Sequence, residues 1–284
     1  MIILQTLALI LTLGLGRESL PNDSESVPLT FGVYQSDKAT KMYKKFLPAI
    51  EAIQDDLEKN LGRPVDIELK IFKTYDEGLD ALVKGKVDFV RFGPAPYILA
   101  RERNPDLQLL AMELKKGKKR FSGMIVVKAD SHLKTLDDIK GERFAFGDEN
   151  STIGRYLAQA MLVDAGIRAN DLAEFDYLGR HDKVARAVQV GDFAAGSIKS
   201  GTFTDANKKR ATLRTIARFD NVTKPWVACA SMDKKVAAAL QKTLIELKDK
   251  DALKALKVSG FSKASDKDYD LVRKGMKSAK DFKH

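Results

Sequence analysis

From residue 27 onward the chain alternates between two hydrophobic periods, one residue in two and one in three to four, the signatures of half-buried strands and amphipathic helices. Leu29 to Tyr34 reads as a strand. Met42 to Leu61 reads as a helix whose Phe46, Ile50, Ile53 and Leu57 fall on one face before Gly62 and Pro64 end it. Val65 to Phe72 alternates as a second strand, Tyr75 to Val83 is helical with Gly85 closing it, and Val87 to Phe92 is a third strand. A helix starting near Pro94 or Ala95 then leads to a fourth strand, Leu107 to Glu113. Strands alternating with helices imply mostly parallel pairing with right-handed crossovers.

A lysine-rich turn, Lys115 to Arg120, separates this unit from a second one of the same kind. Its strands are Phe121 to Lys128, Arg143 to Phe146, Glu174 to Leu178, Phe193 to Ile198 and Leu213 to Phe219, and its helices are Leu136 to Ile139, Gly154 to Asp164 and Asp182 to Val190. Val222 to Ala230 is extended, and helices follow at Lys234 to Leu247 and Asp266 to Lys277 without strands of their own. These late helices are placed most simply by returning the chain to the first unit. Two connections, near residues 115–120 and 219–227, then join two α/β lobes, and the cleft between lobes is the default ligand site.

Ahead of this alternation, Ile2 to Gly16 forms a nearly continuous apolar run followed by Arg17 and a polar stretch from Glu18 to Ser26. The run resembles the hydrophobic region of an export signal and is shorter than the roughly 20 residues that span a bilayer. No positive charge precedes it, so it is read as either a signal or an anchor, giving a periplasmic location with or without retention at the inner membrane. A buried first helix of a cytoplasmic protein is the alternative.

Composition narrows the chemistry. At 284 residues with 44% hydrophobic and 31% charged positions, the chain can build a folded core of one large or two medium domains. Lys and Arg exceed Asp and Glu by 49 to 39, a formal +10 that draws anions. The lysines are spread along the chain with no basic-aromatic cluster or zinc-finger spacing, which argues against nucleic acid as the partner. Cys229 is the single cysteine, so a disulfide within the chain, a multi-thiolate metal site and a CxxC redox pair are excluded; no cofactor and no metal triad is indicated. Cys229 sits in a small apolar strand and reads as core.

The strongest local feature is Gly147 to Gly154, where a strand ends in polar residues and a helix begins after Ser151 and Thr152. Free amides of a first helical turn attract an anion and the two hydroxyls add donors, although an ordinary Ser or Thr cap has the same appearance. The spacing and lysine of a nucleotide P-loop are absent. The second feature is Phe92-Gly93-Pro94-Ala95-Pro96-Tyr97, where glycine permits close backbone approach and Tyr97 can present its hydroxyl. Tyr34 ends the first strand on the same rim. Arg120 and Ser122 lie at the first crossing, where the arginine either clamps an anion or faces water. His181 opens a helix after Gly179 and Arg180. Ser197 and Lys199 follow a strand, and Lys224 and Trp226 mark the second crossing; a lysine there can neutralise an oxyanion, and the indole either covers an organic substituent or packs between lobes.

The order of elements, together with Phe92 to Tyr97, Gly147-Asp148-Glu149-Asn150-Ser151-Thr152-Ile153-Gly154 and Gly179-Arg180-His181-Asp182, resembles the phosphate/phosphite/phosphonate-binding protein family, the PhnD-like solute receptors of ABC importers. The resemblance covers about residues 28–250. It implies an α/β, type 2 periplasmic-binding-protein-like fold with two lobes joined by a two-strand hinge: residues 1–26 a signal-like or anchoring segment, 27–118 plus 224–284 lobe 1, and 119–223 lobe 2. It implies a receptor, monomeric and not an enzyme, that closes on a small oxyanion and is recognised by an ABC permease; a membrane sensor as the partner, or an enzyme on the same scaffold, are the alternatives. Tyr97, Ser151, Thr152 and Gly154 match the family's tyrosine after FGP and its Ser-Thr-Ser-Gly run. The chain departs from the pattern at Ile153, which replaces the second serine, and at Ala194, where relatives carry an acidic residue. Tyr34, Tyr97, Arg120, Ser122, Ser151, Thr152, His181, Ser197, Lys199 and Trp226 are the candidate ligand contacts, with Tyr97 and the Ser151 turn expected to face each other across the cleft.

Overall fold

A computed structural model describes residues 26–283. The signal or anchor reading of the amino end falls on residues outside those described; among the described residues no helix is long and apolar enough to cross a membrane.

Two mixed sheets organise the chain. The first has six strands in the order β11-β4-β10-β3-β1-β2, where β1 is Val27–Tyr34, β2 Val65–Phe72, β3 Phe89–Arg91, β4 Gln108–Leu114, β10 Pro225–Ala228 and β11 Gly260–Ser262. The second has five in the order β7-β6-β8-β5-β9, with β5 Arg120–Lys128, β6 Arg143–Phe146, β7 Glu174–Tyr177, β8 Ala195–Lys199 and β9 Leu213–Val222. Helices α1 (Ala39–Leu61), α2 (Tyr75–Val83) and α3 (Pro94–Arg103) fill the first crossovers, while α4 (Leu157–Asp164) and α5 (His181–Val190) fill those of the second sheet.

The periodicity of α1 is visible in its packing: Met42, Phe46, Ile50, Ile53 and Leu57 are buried, and Gly62 ends the helix in the left-handed conformation that lacks a Cβ penalty. In the first sheet the buried Trp226 ring stacks on Phe31 at 4.8 Å between centroids, and Phe31 stacks on Phe89 at the same distance. This aromatic column joins β1, β3 and β10 through their side chains.

The pairing departs from the mostly parallel expectation. β1 pairs in parallel with β2 and β3, and β6 with β7 and β8. However, β10 lies antiparallel between β3 and β4, β11 is antiparallel to β4, and β5 is antiparallel to both β8 and β9. Two of the opposed strands, β5 and β10, are the ones that follow the passages between the sheets. The crossings run side by side: Thr223 donates its N–H to the Lys119 carbonyl at 2.9 Å, and Glu113 donates to the Lys224 carbonyl at 3.0 Å.

The carboxyl end of the chain also differs from the expectation of helices without strands. A three-residue strand, β11, adds to the edge of the first sheet through the β4 ladder, and helix α8 (Lys250–Leu256) precedes it. Three residues are too few to show an alternating pattern. The last helix, α9 (Asp270–Ser278), packs against both α3 and α4 and so touches elements flanking each sheet. Gly275 makes that approach possible, because a Cβ there would collide with Leu157 of α4.

Candidate functional site

The carboxyl ends of strands from both sheets, with the amino ends of the helices that follow, converge on one cavity of about 30 Å³. This is where doubly wound α/β proteins place ligands, since helix amino ends present unpaired N–H groups there. From the first sheet come Tyr34 at the end of β1, Tyr75 at the start of α2, Arg91 at the end of β3, and Gly93 and Pro94 at the start of α3. From the second come Ser151 and Thr152 in the turn after β6, His181 at the start of α5, and Lys199 at the end of β8, joined by Asn221 and Lys224 from the return crossing.

One wall is made of hydroxyls held by backbone amides. Gly93 donates its N–H to the Tyr34 hydroxyl at 2.5 Å, Ala95 donates to Thr152 Oγ1 at 2.8 Å, and Gly154 donates to Ser151 Oγ at 2.9 Å. A hydroxyl that accepts an amide keeps its own hydrogen to donate, so Tyr34 and Thr152 are oriented as donors to an anion. Tyr75 stacks on Tyr34 at 3.5 Å between centroids, and its hydroxyl engages the side chains of Ser151 and Tyr34. Burial raises both phenols well above their ordinary range, which keeps them protonated and able to donate. Gly93 is required sterically: a Cβ would come within 2.9 Å of the Tyr34 hydroxyl and 3.1 Å of Thr152 Oγ1.

A second group of lining residues is cationic. Arg91 forms a buried bidentate pair with Glu113, Nε to Oε1 at 2.6 Å and Nη2 to Oε2 at 3.0 Å. Burial raises the Glu113 carboxyl, but Arg91, Lys45 and Lys224 outweigh it and hold the group below its usual range. Lys199 pairs with Asp37 at 2.7 Å, and Lys199, Lys41 and His181 overcome the burial of Asp37 to bring its pKa to about 2. Burial and then the neighbouring cations Arg91 and Lys199 push Lys224 well below its ordinary value; burial likewise lowers Lys199 despite Asp37. Burial and Lys199 lower His181 to about 3, so its ring is neutral near pH 7. His181 Nδ1 is buried with no hydrogen-bond partner among the described residues, an unmet polar atom at the cavity.

The structure thus brings Tyr34, Ser151, Thr152, His181 and Lys199 around one cavity. Five other expected contacts lie elsewhere. Tyr97 does not face the Ser151 turn: its hydroxyl donates to Asp266 at 2.8 Å and its ring lies against Tyr269, because the carboxyl-terminal segment covers that side of α3. Ser197 is fully buried and donates to the Ile153 carbonyl at 2.5 Å, tying down the turn that follows β6. Trp226 is core, held in the aromatic column with its Nε1 3.4 Å from Glu113. Arg120 is exposed opposite Val222 at the start of β5, and Ser122 pairs in register with Asp220, so the crossing strands carry both away from the cavity.

Sequence reasoning missed Tyr75, Arg91 and Asn221 as site residues. Arg91 carried a usable signal, a cation inside the otherwise apolar run Phe89 to Phe92, which a buried strand tolerates only with a partner such as Glu113. Tyr75 carried none, since an aromatic residue at a helix start reads as packing.

Residues 31–269 match the family model described as "ABC transporter, phosphonate, periplasmic substrate-binding protein". The chain is similar to an ABC transporter phosphite-binding protein, PhnD1, of Prochlorococcus marinus, with 26% identity over 239 residues covering 75% of this chain and 80% of that protein. It is also similar to a phosphate-import protein, PhnD, of Mycolicibacterium smegmatis, with 24% identity over 68% of this chain and 63% of the relative. The fold matches the structure of PhnD1 from Prochlorococcus marinus in complex with methylphosphonate, with a TM-score of 0.78 at 22% identity, covering 92% of this chain and all of the other. The family match over most of the chain shows that this protein belongs to the phosphonate-binding periplasmic substrate-binding proteins of ABC transporters.

Proposed function

We propose that the cavity grips the oxyanion head of a phosphonate, phosphite or phosphate, and that the loaded protein presents this ligand to the permease of an ABC importer in the periplasm. The observation that carries the reading is the convergence of three cations, Arg91, Lys199 and Lys224, with the hydroxyls of Tyr34, Ser151 and Thr152 on one space. The similarity to phosphite-, phosphate- and methylphosphonate-binding relatives supports the same class of ligand.

The two sheets serve as the cores of two lobes, 27–118 with 224–284 and 119–223, and the side-by-side crossings at Lys119 and Thr223 act as the hinge. Several bonds join the proposed lobes around the cavity: Ala95 N–H to Thr152, Lys199 to Asp37, Lys41 to Asp205 at 2.6 Å, and Asn150 Nδ2 to Asp76 at 2.7 Å. These contacts describe a closed form. Closure excludes water and so strengthens every charge-dipole contact inside.

Titration calorimetry with phosphate, phosphite, methylphosphonate and sulfate tests the reading. Saturable, stoichiometric binding of at least one phosphorus oxyanion, with a thermal shift that follows its affinity, is the expected result. Heat from none of them removes the assigned ligand class.

A further inference from the structure

Beside the hydroxyl-lined cavity lies a larger one of about 230 Å³ that shares Met42, Arg91, Lys199 and Lys224 with it. A ligand head in the first space would therefore direct its organic part into the second. The walls say what that part carries. Lys44, Lys45 and Lys115 line the second space in addition to the shared cations, against the carboxylates of Asp37, Glu113 and Asp205. Each of these carboxylates already has a partner: Asp37 has Lys199 and Lys41, Glu113 has Arg91, and Asp205 has Lys41. Among the described residues Lys44, Lys45 and Lys224 have no carboxylate at ion-pair distance. The half-buried Lys45 is pushed far below its ordinary range by burial and by Arg91, and Lys115 is lowered by burial. An anionic tail would favour the charged forms that burial and the neighbouring cations disfavour in Lys45 and Lys224, a neutral tail would not, and an amine would depress them further. Phe121 and Leu256 supply the apolar surface that a short methylene linker would cover.

We propose that the preferred ligand is a phosphonate bearing a second anionic group on a short chain, as in a phosphonocarboxylate, with the second charge held by Lys45, Lys115 and the shared Lys224. The inference rests on the reading of the first cavity as the phosphonate site.

The test compares four probes by calorimetry on the protein: methylphosphonate, propylphosphonate, 2-aminoethylphosphonate and 3-phosphonopropionate. The expected result is 3-phosphonopropionate binding about tenfold or more tightly than the two probes of similar length, the scale of one charge-assisted contact. In Lys45→Met and Lys115→Met, measured singly and together, that preference shrinks to within about threefold while methylphosphonate loses little. Propylphosphonate or 2-aminoethylphosphonate binding as tightly as 3-phosphonopropionate overturns the inference and leaves the oxyanion site standing. Equal losses for methylphosphonate and 3-phosphonopropionate in the variants also overturn it. Absence of binding by all four probes ends both readings together. The probe ranking on the unmodified protein decides the question even where a variant folds poorly.

Discussion

The hydroxyl and cationic groups that line the cavity offer an anion two different kinds of interaction. On the hydroxyl wall, Tyr34, Ser151 and Thr152 are neutral, and each is fixed by a backbone amide, so their donors cost little reorganisation when a ligand arrives. On the cation wall, Arg91, Lys199 and Lys224 carry charge that burial disfavours, relieved only in part by Glu113 and Asp37. The first wall supplies shape and selectivity for tetrahedral oxygens. The second supplies attraction, and with it sensitivity to pH and to the loss of any one counter-charge.

The largest effect is expected from Arg91→Met, which strands Glu113 as a buried unpaired carboxylate. Breaking such a pair costs roughly 3–5 kcal/mol of folding stability, read as a lower denaturant midpoint, and phosphonate affinity falls with it. A variant with unchanged stability would show that the pair is not the keystone of the cation wall. Next, Ser151→Ala combined with Thr152→Ala removes two donors from the neutral wall. Hydrogen bonds to a charged group are worth about 1.5–3 kcal/mol, so affinity should drop by roughly tenfold to a hundredfold or beyond, with a modest change in melting temperature. Unchanged affinity would move the anion to the cation wall alone.

Asp37 gives a pH test confined to the cation wall. Its folded pKa of about 2 lies below its value of about 3.9 in an unfolded chain, so its stabilisation is complete above that value and is lost as pH falls toward 2. The loss amounts to about 2 kcal/mol, and Asp37→Asn should flatten stability over that window. At the alkaline end the sign reverses for ligand binding. A bound anion raises Lys199 and Lys224 from their depressed values, so binding takes up protons and affinity falls as pH climbs through their free-state range. Calorimetry in buffers of different ionisation enthalpy reads that uptake directly, and the absence of linked protons there would contradict it.

The smallest contrast compares two buried tyrosines. Tyr34→Phe removes a hydroxyl that lines the cavity, whereas Tyr97→Phe removes only a bond to Asp266. Affinity should fall about tenfold in the first and stay constant in the second, which instead loses about 1 kcal/mol of stability. Reduced affinity in Tyr97→Phe, at unchanged fold, would reopen the cleft assignment of that ring.

Much of the alternation was legible because strand and helix periods are local properties. β2, α2 and β6 fall where their apolar spacing puts them, and Gly62 and Gly191 end helices in left-handed conformations. The turn at Ser151 was legible for a similar reason, since a polar strand end running into a capped helix is a local feature. Tyr97 was misread because proximity in sequence to Gly93 says nothing about direction. Four residues on, it lies one helical turn along α3 and its hydroxyl reaches Asp266, in the turn just ahead of α9 and about 170 residues away. Arg120 and Trp226 flank the crossings in sequence, yet β5 holds one on its exposed face and β10 buries the other in the aromatic column.

The chain by itself determined which segments become strands and helices, the excess of positive charge, and the capped turn at Ser151 and Thr152. All of these depend on residues within a few positions of one another. Only the tertiary structure decided that β10 returns antiparallel between β3 and β4, that Arg91 and Lys224 stand beside Lys199, and that Tyr75 rather than Tyr97 joins Tyr34. Those outcomes depend on where distant segments come to rest, and the periodicity of a single segment contains no information about its neighbours in space.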